Sequence, residues 1–365
     1  MRSFCRYIIA GLLLVAAGPW MILADDLADL ETREERAFRA AVDRVAPSVV
    51  AIETVGGSQR VGKILFGTGP TTGLIVDPDG YLVSSAFAFL NRPESILVRL
   101  PDGSRRAARL VATDHNRMLT LLKIETDAPL PVAEIAPKHE MRVGQWTIAV
   151  GRTFDPDAPN MAVGILSARN RIWGKAIQTD AAVSPNNYGG PLIDIRGRIM
   201  GVLAPLSPEK TEEIAGVEWY DSGIGFAIPA EEIQAILPRL IEGEDLYPGH
   251  TGLSFGKTGL YTGGPIVEKC WPKSPAEKAG IQPGDKIVEI DGREVTRAAE
   301  VKEAISRRYA GETITLVLQR EDRRVENRLE LVDKLPPLPK PDPPTKKSTK
   351  SDRPGDEKPS EEKES

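Results

Sequence analysis

The sequence predicts a mainly β protein followed by a small α+β unit. Short runs rich in Val, Ile and Leu recur between Gly, Pro and Asp turns from Ser48 to about Pro229, the spacing of an all-β sandwich or a pair of barrels. Between Tyr247 and Val332 the pattern changes to one short capped helix, one longer helix and strands joined by tight turns. The chain has 365 residues, room for two domains of ordinary size, and 41% of them are apolar, enough for a packed core.

The elements follow in order. Residues 1–24 read as an export segment. Arg2 and Arg6 supply the positive end, Tyr7 to Leu23 is apolar around Gly18-Pro19, and Ala24 before Asp25-Asp26 is a cleavage point. The run is about 17 residues, at the short edge of a spanning helix, so a membrane anchor over residues 7–23 is the alternative. Either reading places the rest outside the cytoplasm, periplasmic or otherwise extracytoplasmic. Within residues 25–45, Leu27, Leu30, Phe38, Ala41 and Val42 recur at helical spacing, which predicts an amphipathic helix on the body or on a neighbouring subunit, ended by Ala46-Pro47.

Residues 46–240 form the β unit. Its strands include Val49 to Thr54, Thr72 to Val76, Ile96 to Leu100, Leu119 to Ile124, Thr147 to Val150 and Ile199 to Leu203, with a closing helix from Pro229 to Leu240. Residues 247–333 form the second unit. Ser274-Pro275-Ala276-Glu277 is a capping box with proline at the first helical position. Asp291-Gly292 turns a hairpin after strand Lys286 to Ile290. A helix covers Arg297 to Arg308, and a strand follows over Thr313 to Gln319. Residues 334–365 carry eight prolines and no aromatic residue, a composition that buries too little apolar surface to order itself.

Composition also excludes. Net charge is −5 and no Lys/Arg block stands out in the globular part, which argues against a nucleic-acid partner. Of two cysteines, Cys5 sits in the export segment, so Cys270 stands alone and reads as an inert structural thiol. No His/Cys/Asp/Glu group has metal-ligand spacing and no Gly-rich phosphate loop is present, so no cofactor is expected.

The motif that carries chemistry runs from Gln178-Thr179-Asp180-Ala181-Ala182 through Asn186-Asn187-Tyr188-Gly189-Gly190. Gly80-Tyr81-Leu82-Val83-Ser84-Ser85, the strand from Val143 to Gly151, and Gly223-Ile224-Gly225-Phe226-Ala227-Ile228-Pro229 accompany it. Together these segments resemble the HtrA (DegP-like) family of serine proteases, over about Val45 to Val332. The resemblance implies a trypsin-like double β-barrel followed by a PDZ domain. Acyl transfer in that fold uses a serine, a histidine that takes its proton and an aspartate that orients the histidine. Carried over residue by residue, the histidine position falls on Phe87, the aspartate position on Met118 and the serine position on Tyr188. The oxyanion loop is altered around Asn186, Asn187 and Gly189, where Asn186 replaces a glycine.

The expectation is therefore a catalytically degenerate, exported homologue, not an enzyme. His115, His139 and His250 all read as lying outside any triad. The PDZ-like part keeps its apparatus: His250, Thr251, Gly252 and Leu253 align with the loop that holds a peptide carboxylate, Leu253-Ser254-Phe255 with the receiving strand, and Val301, Ala304 and Ile305 with the pocket wall. The expected partners are protein C-termini or unfolded segments, in a chaperone, scaffold or regulatory role. The alternatives are the family's serine-type endopeptidase activity in protein quality control, or an inactive subunit tuning an active paralogue. The family's oligomers imply a homotrimer or a mixed oligomer.

Overall fold

A strand buried on both faces sorts its side chains by parity, and this chain does so throughout its first half. In β1 (Val49–Val55), Val50 and Ile52 point into one barrel while Val49 joins the core between barrels. β4 (Thr71–Asp77), β5 (Tyr81–Ser85) and β8 (Leu119–Ile124) repeat the rule: Ile75, Leu82 and Leu122 face inward, and Leu74, Val83 and Leu121 face the intervening core. The computed structural model describes residues 29–56, 59–61, 64–66, 70–90, 92–153, 155, 158–206, 223–256 and 261–337. The export or anchor segment, Leu27 and the tail beyond 337 lie outside the described residues.

Helix α1 is described over 29–45. It lies on the body: Ala41, Val42 and Val45 are buried, Phe38 meets Trp146 edge-on at 5.3 Å, and Arg44 donates to the Arg196 carbonyl at 3.0 Å. After β1 come the small hairpin β2 (Gln59–Val61) and β3 (Ile64–Phe66), then β4, β5, β6 (Ser95–Arg99), β7 (Arg105–Asp114) and β8. The first barrel closes in the order β1-β4-β5-β8-β7-β6. β9 (Trp146–Gly151), β10 (Asn160–Arg171), β11 (Ala176–Thr179), β12 (Pro191–Ile193), β13 (Ile199–Leu203) and β14 (Gly225–Pro229) close the second in the order β10-β11-β14-β13-β12-β9. Every strand pair among the described residues is antiparallel, and closure hides the edges of each barrel. α2 (Ala230–Ile241) buries Ala230, Ile233, Ile236 and Leu240 along one stripe, with Glu231 and Glu232 favourably placed in its first turn.

The second unit pairs β15 (Leu253–Phe255) with β16 (Val267–Cys270). α3 (Pro275–Lys278) starts at the expected cap, where the Ser274 side chain accepts from the Glu277 amide. β17 (Lys286–Ile290), β18 (Arg293–Glu294), β19 (Thr313–Arg320) and β20 (Arg323–Glu330) form a sheet in the order β18-β17-β19-β20. Asp291 and Gly292 turn the β17–β18 hairpin with φ of 49° and 79°, the signature of a type I′ turn. α4 spans Ala298–Ser306, shorter at both ends than the expected Arg297 to Arg308.

A polar hub joins the two units. Asp114, at the end of β7, is fully buried. Its carboxylate accepts from the Asn116 and Arg117 amides at 2.9 and 3.0 Å and from the Tyr309 hydroxyl at 2.6 Å. Arg117 in turn donates to the Tyr309 oxygen and reaches Glu232 of α2 at 3.2 Å. The Arg117 and Arg239 guanidiniums lie 5.0 and 5.3 Å from the Tyr309 ring centre. Burial pushes the Asp114 carboxyl up, opposed by Arg117 and by the Tyr309 hydroxyl. Asn116 donates to the Ser306 carbonyl at 3.0 Å, and Lys175 donates to Asn116 Oδ1 at 3.2 Å.

Two outcomes follow. Tyr309→Phe leaves Asp114 and Arg117 each short of a buried partner, so urea unfolding should show a loss of about 1–3 kcal/mol. Burial, reinforced by Arg117, brings Lys175 down to about 8 in the folded chain from 10.5. Between those values the unfolded chain holds the extra proton, so stability rises with pH from about 8 to 10.5, at less than about 1.4 kcal/mol per pH unit. Lys175→Gln should flatten that slope in urea titrations.

Candidate functional site

The resemblance directs attention to the seam between the barrels, where the end of β5, the β7–β8 loop and the segment before β12 meet. β5 ends in Ser84-Ser85, both buried, and the chain then makes a 3-10 turn over Ala86–Phe89. Ser85 caps that turn by accepting from the Phe87 amide at 3.3 Å. Across the seam, Tyr188 is 7% exposed and its ring meets Phe87 edge-to-face, with centroids 5.9 Å apart and planes at 78°. Phe87 and Tyr188 are thus brought together. Met118 sits in the left-handed region at φ 57° and packs on the inter-barrel core. Its carbonyl accepts from the Ala86 amide at 2.8 Å, which ties the β7–β8 loop to the turn carrying Phe87.

The loop around Tyr188 is well bonded. Thr72 donates its hydroxyl to the Asn186 carbonyl at 2.8 Å, and Thr71 donates to the Tyr188 carbonyl at 3.0 Å. The Asn187 side chain accepts from the Ser184 amide at 2.7 Å, while its own amide donates to the Ser184 carbonyl at 3.0 Å. The Gly189 amide donates to Leu203 O at 2.8 Å. Gly189 has φ 83°, and a Cβ there would lie 2.3 Å from both Ser84 Oγ and Thr72 O. Only glycine lets this loop lie so close to β4 and β5. Those constraints hold the loop's shape independently of any reactive group on residue 188.

The histidines occupy other places. His115 is exposed and stacks on Tyr247 with centroids 4.5 Å apart. His139 is exposed on a 3-10 turn. His250 pairs its backbone with Val332, and burial lowers its imidazole pKa. Among the described residues no group of three or more His, Cys, Asp or Glu is placed to hold a metal ion.

The second candidate site is the edge of β15. In its two-stranded sheet β15 bonds β16 on one side, leaving its other edge without a strand among the described residues. The preceding loop is held from below. Thr251 Oγ1 accepts from the Leu253 amide at 3.2 Å, Thr251 O accepts from the Ala276 amide at 2.9 Å, and Gly252 O accepts from the Trp271 amide at 2.7 Å. Gly252 has φ 80°, and a Cβ there would strike Ser274 Cβ at 2.2 Å. Leu253, Phe255, Ala304 and Ile305 are half-buried against this unit's core, and Ser254 is half-buried on the strand between them. Val301 differs from the expectation of a wall residue: it is fully buried within that core, beneath any groove. Cys270 is half-buried, its thiol donates to the Ile281 carbonyl at 3.3 Å, and burial pushes it up.

Sequence reading missed a contact between the units. The turn Ile172-Trp173-Gly174 holds three consecutive residues at positive φ. It places the Trp173 ring 3.9 Å from Lys302 Nζ on α4 and in a stack with Tyr261 at 6.0 Å. No local signal marks such a pairing, because its partners lie far apart in the chain.

Comparison with known proteins agrees with this architecture. Residues 71–202 match the trypsin-like peptidase domain, and residues 244–331 match the PDZ domain. A DegP-like periplasmic serine endoprotease of Chlamydia trachomatis is 32% identical over 272 residues, covering 70% of this chain and 52% of that protein. One of the same name from Hahella chejuensis is 28% identical, covering 78% of this chain and 68% of that protein. The chain thus spans about half the length of the Chlamydia relative. The solved structure of the HtrA-type protease AlgW with a tripeptide superposes with a TM-score of 0.65 at 26% identity, covering 82% of this chain and 98% of that one. The chain is HtrA/DegP-like, a trypsin-like peptidase domain followed by a PDZ domain.

Proposed function

We propose that this chain is an extracytoplasmic peptide-capturing protein whose barrels are a scaffold and whose PDZ domain binds protein C-termini or unfolded segments. One observation carries the non-catalytic part. Tyr188 occupies the position the family gives to its nucleophile, and it is buried edge-on against Phe87, where a base would be needed. Phe87 is apolar and supplies no proton acceptor at the histidine position. Met118 supplies no carboxylate at the third position. The open edge of β15 and the glycine-dependent loop before it support the peptide-binding part, since such ligands add as a strand and seat their carboxylate on backbone amides. AlgW, solved with a tripeptide, is a structural relative that takes peptide. The periplasmic names of the relatives agree with the candidate export segment, which lies outside the described residues.

A second reading, a serine-type endopeptidase of protein quality control, is favoured by the relatives, which are named serine endoproteases. The two separate cleanly in a casein-cleavage assay. The scaffold reading expects no turnover from the natural chain, and at least about a thousandfold gain from a variant carrying Phe87→His, Met118→Asp, Tyr188→Ser and Asn186→Gly. Turnover by the natural chain that persists in Tyr188→Phe would establish the endopeptidase reading. The peptide-binding part is tested by fluorescence anisotropy of the full chain with a library of labelled C-terminal peptides. At least one member should bind, and Gly252→Ala should weaken it by about tenfold or more by deforming the carboxylate loop. A library without a single binder would remove this part of the reading.

A further inference from the structure

Beside the polar hub, between α2 and the PDZ domain, lies a cleft of about 560 Å³. This volume is within the usual range for ligand sites, and the boundary between domains is a common place for one. Five arginines line it: Arg117, Arg239, Arg293, Arg307 and Arg308. Only three carboxylates do so: Glu232, Asp291 and Glu312. Those carboxylates are already shared. Glu232 serves Arg117 at 3.2 Å, Arg307 at 3.0 Å and Lys138 at 2.9 Å, the last from outside the cleft. Glu312 serves Arg239 at 3.3 Å and Arg308 at 3.7 Å. Arg293 makes no ion pair among the described residues, and Arg307 and Arg308 keep side-chain exposures of 41% and 43%. Deeper in, Arg117 Nε is buried without a hydrogen-bond partner. Arg239 and Arg117 are also paired from outside the lining, by Glu244 at 2.6 Å and Asp114 at 3.8 Å. A guanidinium carries five donors in a planar fork matched to carboxylate, however, so Arg293, Arg307 and Arg308 keep donors to spare at the rim.

We propose that this cleft binds an acidic peptide segment, whose carboxylates are taken up by Arg293, Arg307 and Arg308 at its rim. Arg307 and Arg308 already hold carboxylates, so the donor geometry at the rim suits Asp and Glu side chains. Ala235 and Ile236 of α2 and Ile290 and Ala304 of the PDZ domain also line the cleft, with Ala235 exposed and Ala304 half-buried, apolar surface that peptide side-chain stems can cover and an inorganic polyanion cannot. The cleft shares Ala304 with the expected pocket wall, but it is lined by no residue of the β15 edge or of the loop before it.

The test uses the full chain and a fluorescein-labelled hexapeptide of Leu and Glu, amidated at its C-terminus so that it offers no terminal carboxylate to the β15 loop. Anisotropy should show saturable binding at low salt that weakens as ionic strength rises. Arg293→Glu with Arg307→Glu should weaken it about tenfold or more. Arg293→Gln, a change at an exposed and unpaired residue, should weaken it about threefold without altering thermal unfolding. Gly252→Ala should leave it unchanged. No binding, equal binding by the charge-reversed variant, or equal binding of a Gln analogue would overturn the proposal. Displacement by tripolyphosphate at a tenfold lower concentration than by unlabelled peptide would also overturn it, and would assign the cleft to a phosphate ligand.

Discussion

The Asp114 carboxylate is the constraint on which the arrangement of both halves depends. It is fully buried, and it accepts two backbone amides of its own loop and one hydroxyl from the PDZ domain. The amides fold residues 114–118 into a tight loop that brings Met118 to its left-handed conformation. From there the Met118 carbonyl holds the Ala86 amide and the turn that carries Phe87. The hydroxyl of Tyr309 fixes the PDZ domain to that same loop. A buried carboxylate left with one partner fewer is costly, so loop shape and domain docking are maintained together.

This coupling gives the altered barrel a coherent physical description. The seam between the barrels is closed by aromatic and aliphatic contact: Phe87 on Tyr188 and Met118 on the inter-barrel core. The loop around residue 188 keeps its form through Thr71, Thr72, Asn187 and Gly189, whose bonds serve the backbone and require no serine. Under the scaffold reading proposed above, the barrel architecture holds its shape without help from a reactive group at residue 188. The PDZ edge is built differently, from backbone geometry alone, and a glycine with a bonded loop suffices to preserve it.

Much of the fold was legible because strand parity and turn chemistry are local. Leu119 to Ile124, Ile199 to Leu203, the Ser274 cap and the Asp291-Gly292 turn all lie where the residues place them. β7, β10 and β20 were harder to see. Arg105, Arg106, Asn160, Arg323, Arg324 and Glu326 break the apolar runs, because one face of each strand is solvated. Of the candidate site, the motifs located positions 87 and 188 but said nothing of their ring contact, and the depth of Val301 was not legible, since a helix spacing does not say which side of a stripe meets the core. The hub was illegible for another reason. Asp114, Arg117, Glu232 and Tyr309 are nearly 200 residues apart at the extremes, and each taken singly reads as an ordinary surface polar residue. The arginine cleft escaped composition for the same cause: a net charge of −5 averages away a local excess created by folding.

The central claim of the proposed scaffold reading is that neither residue 188 nor the serines near it offer an activated hydroxyl. Its most direct measurement is intact-mass spectrometry of the natural chain after incubation with a fluorophosphonate, which adds covalently to activated serines and tyrosines. The account predicts an unchanged mass under conditions that fully label trypsin. A stoichiometric adduct, mapped by peptide digestion to Tyr188 or to Ser84, Ser85 or Ser184, would contradict it.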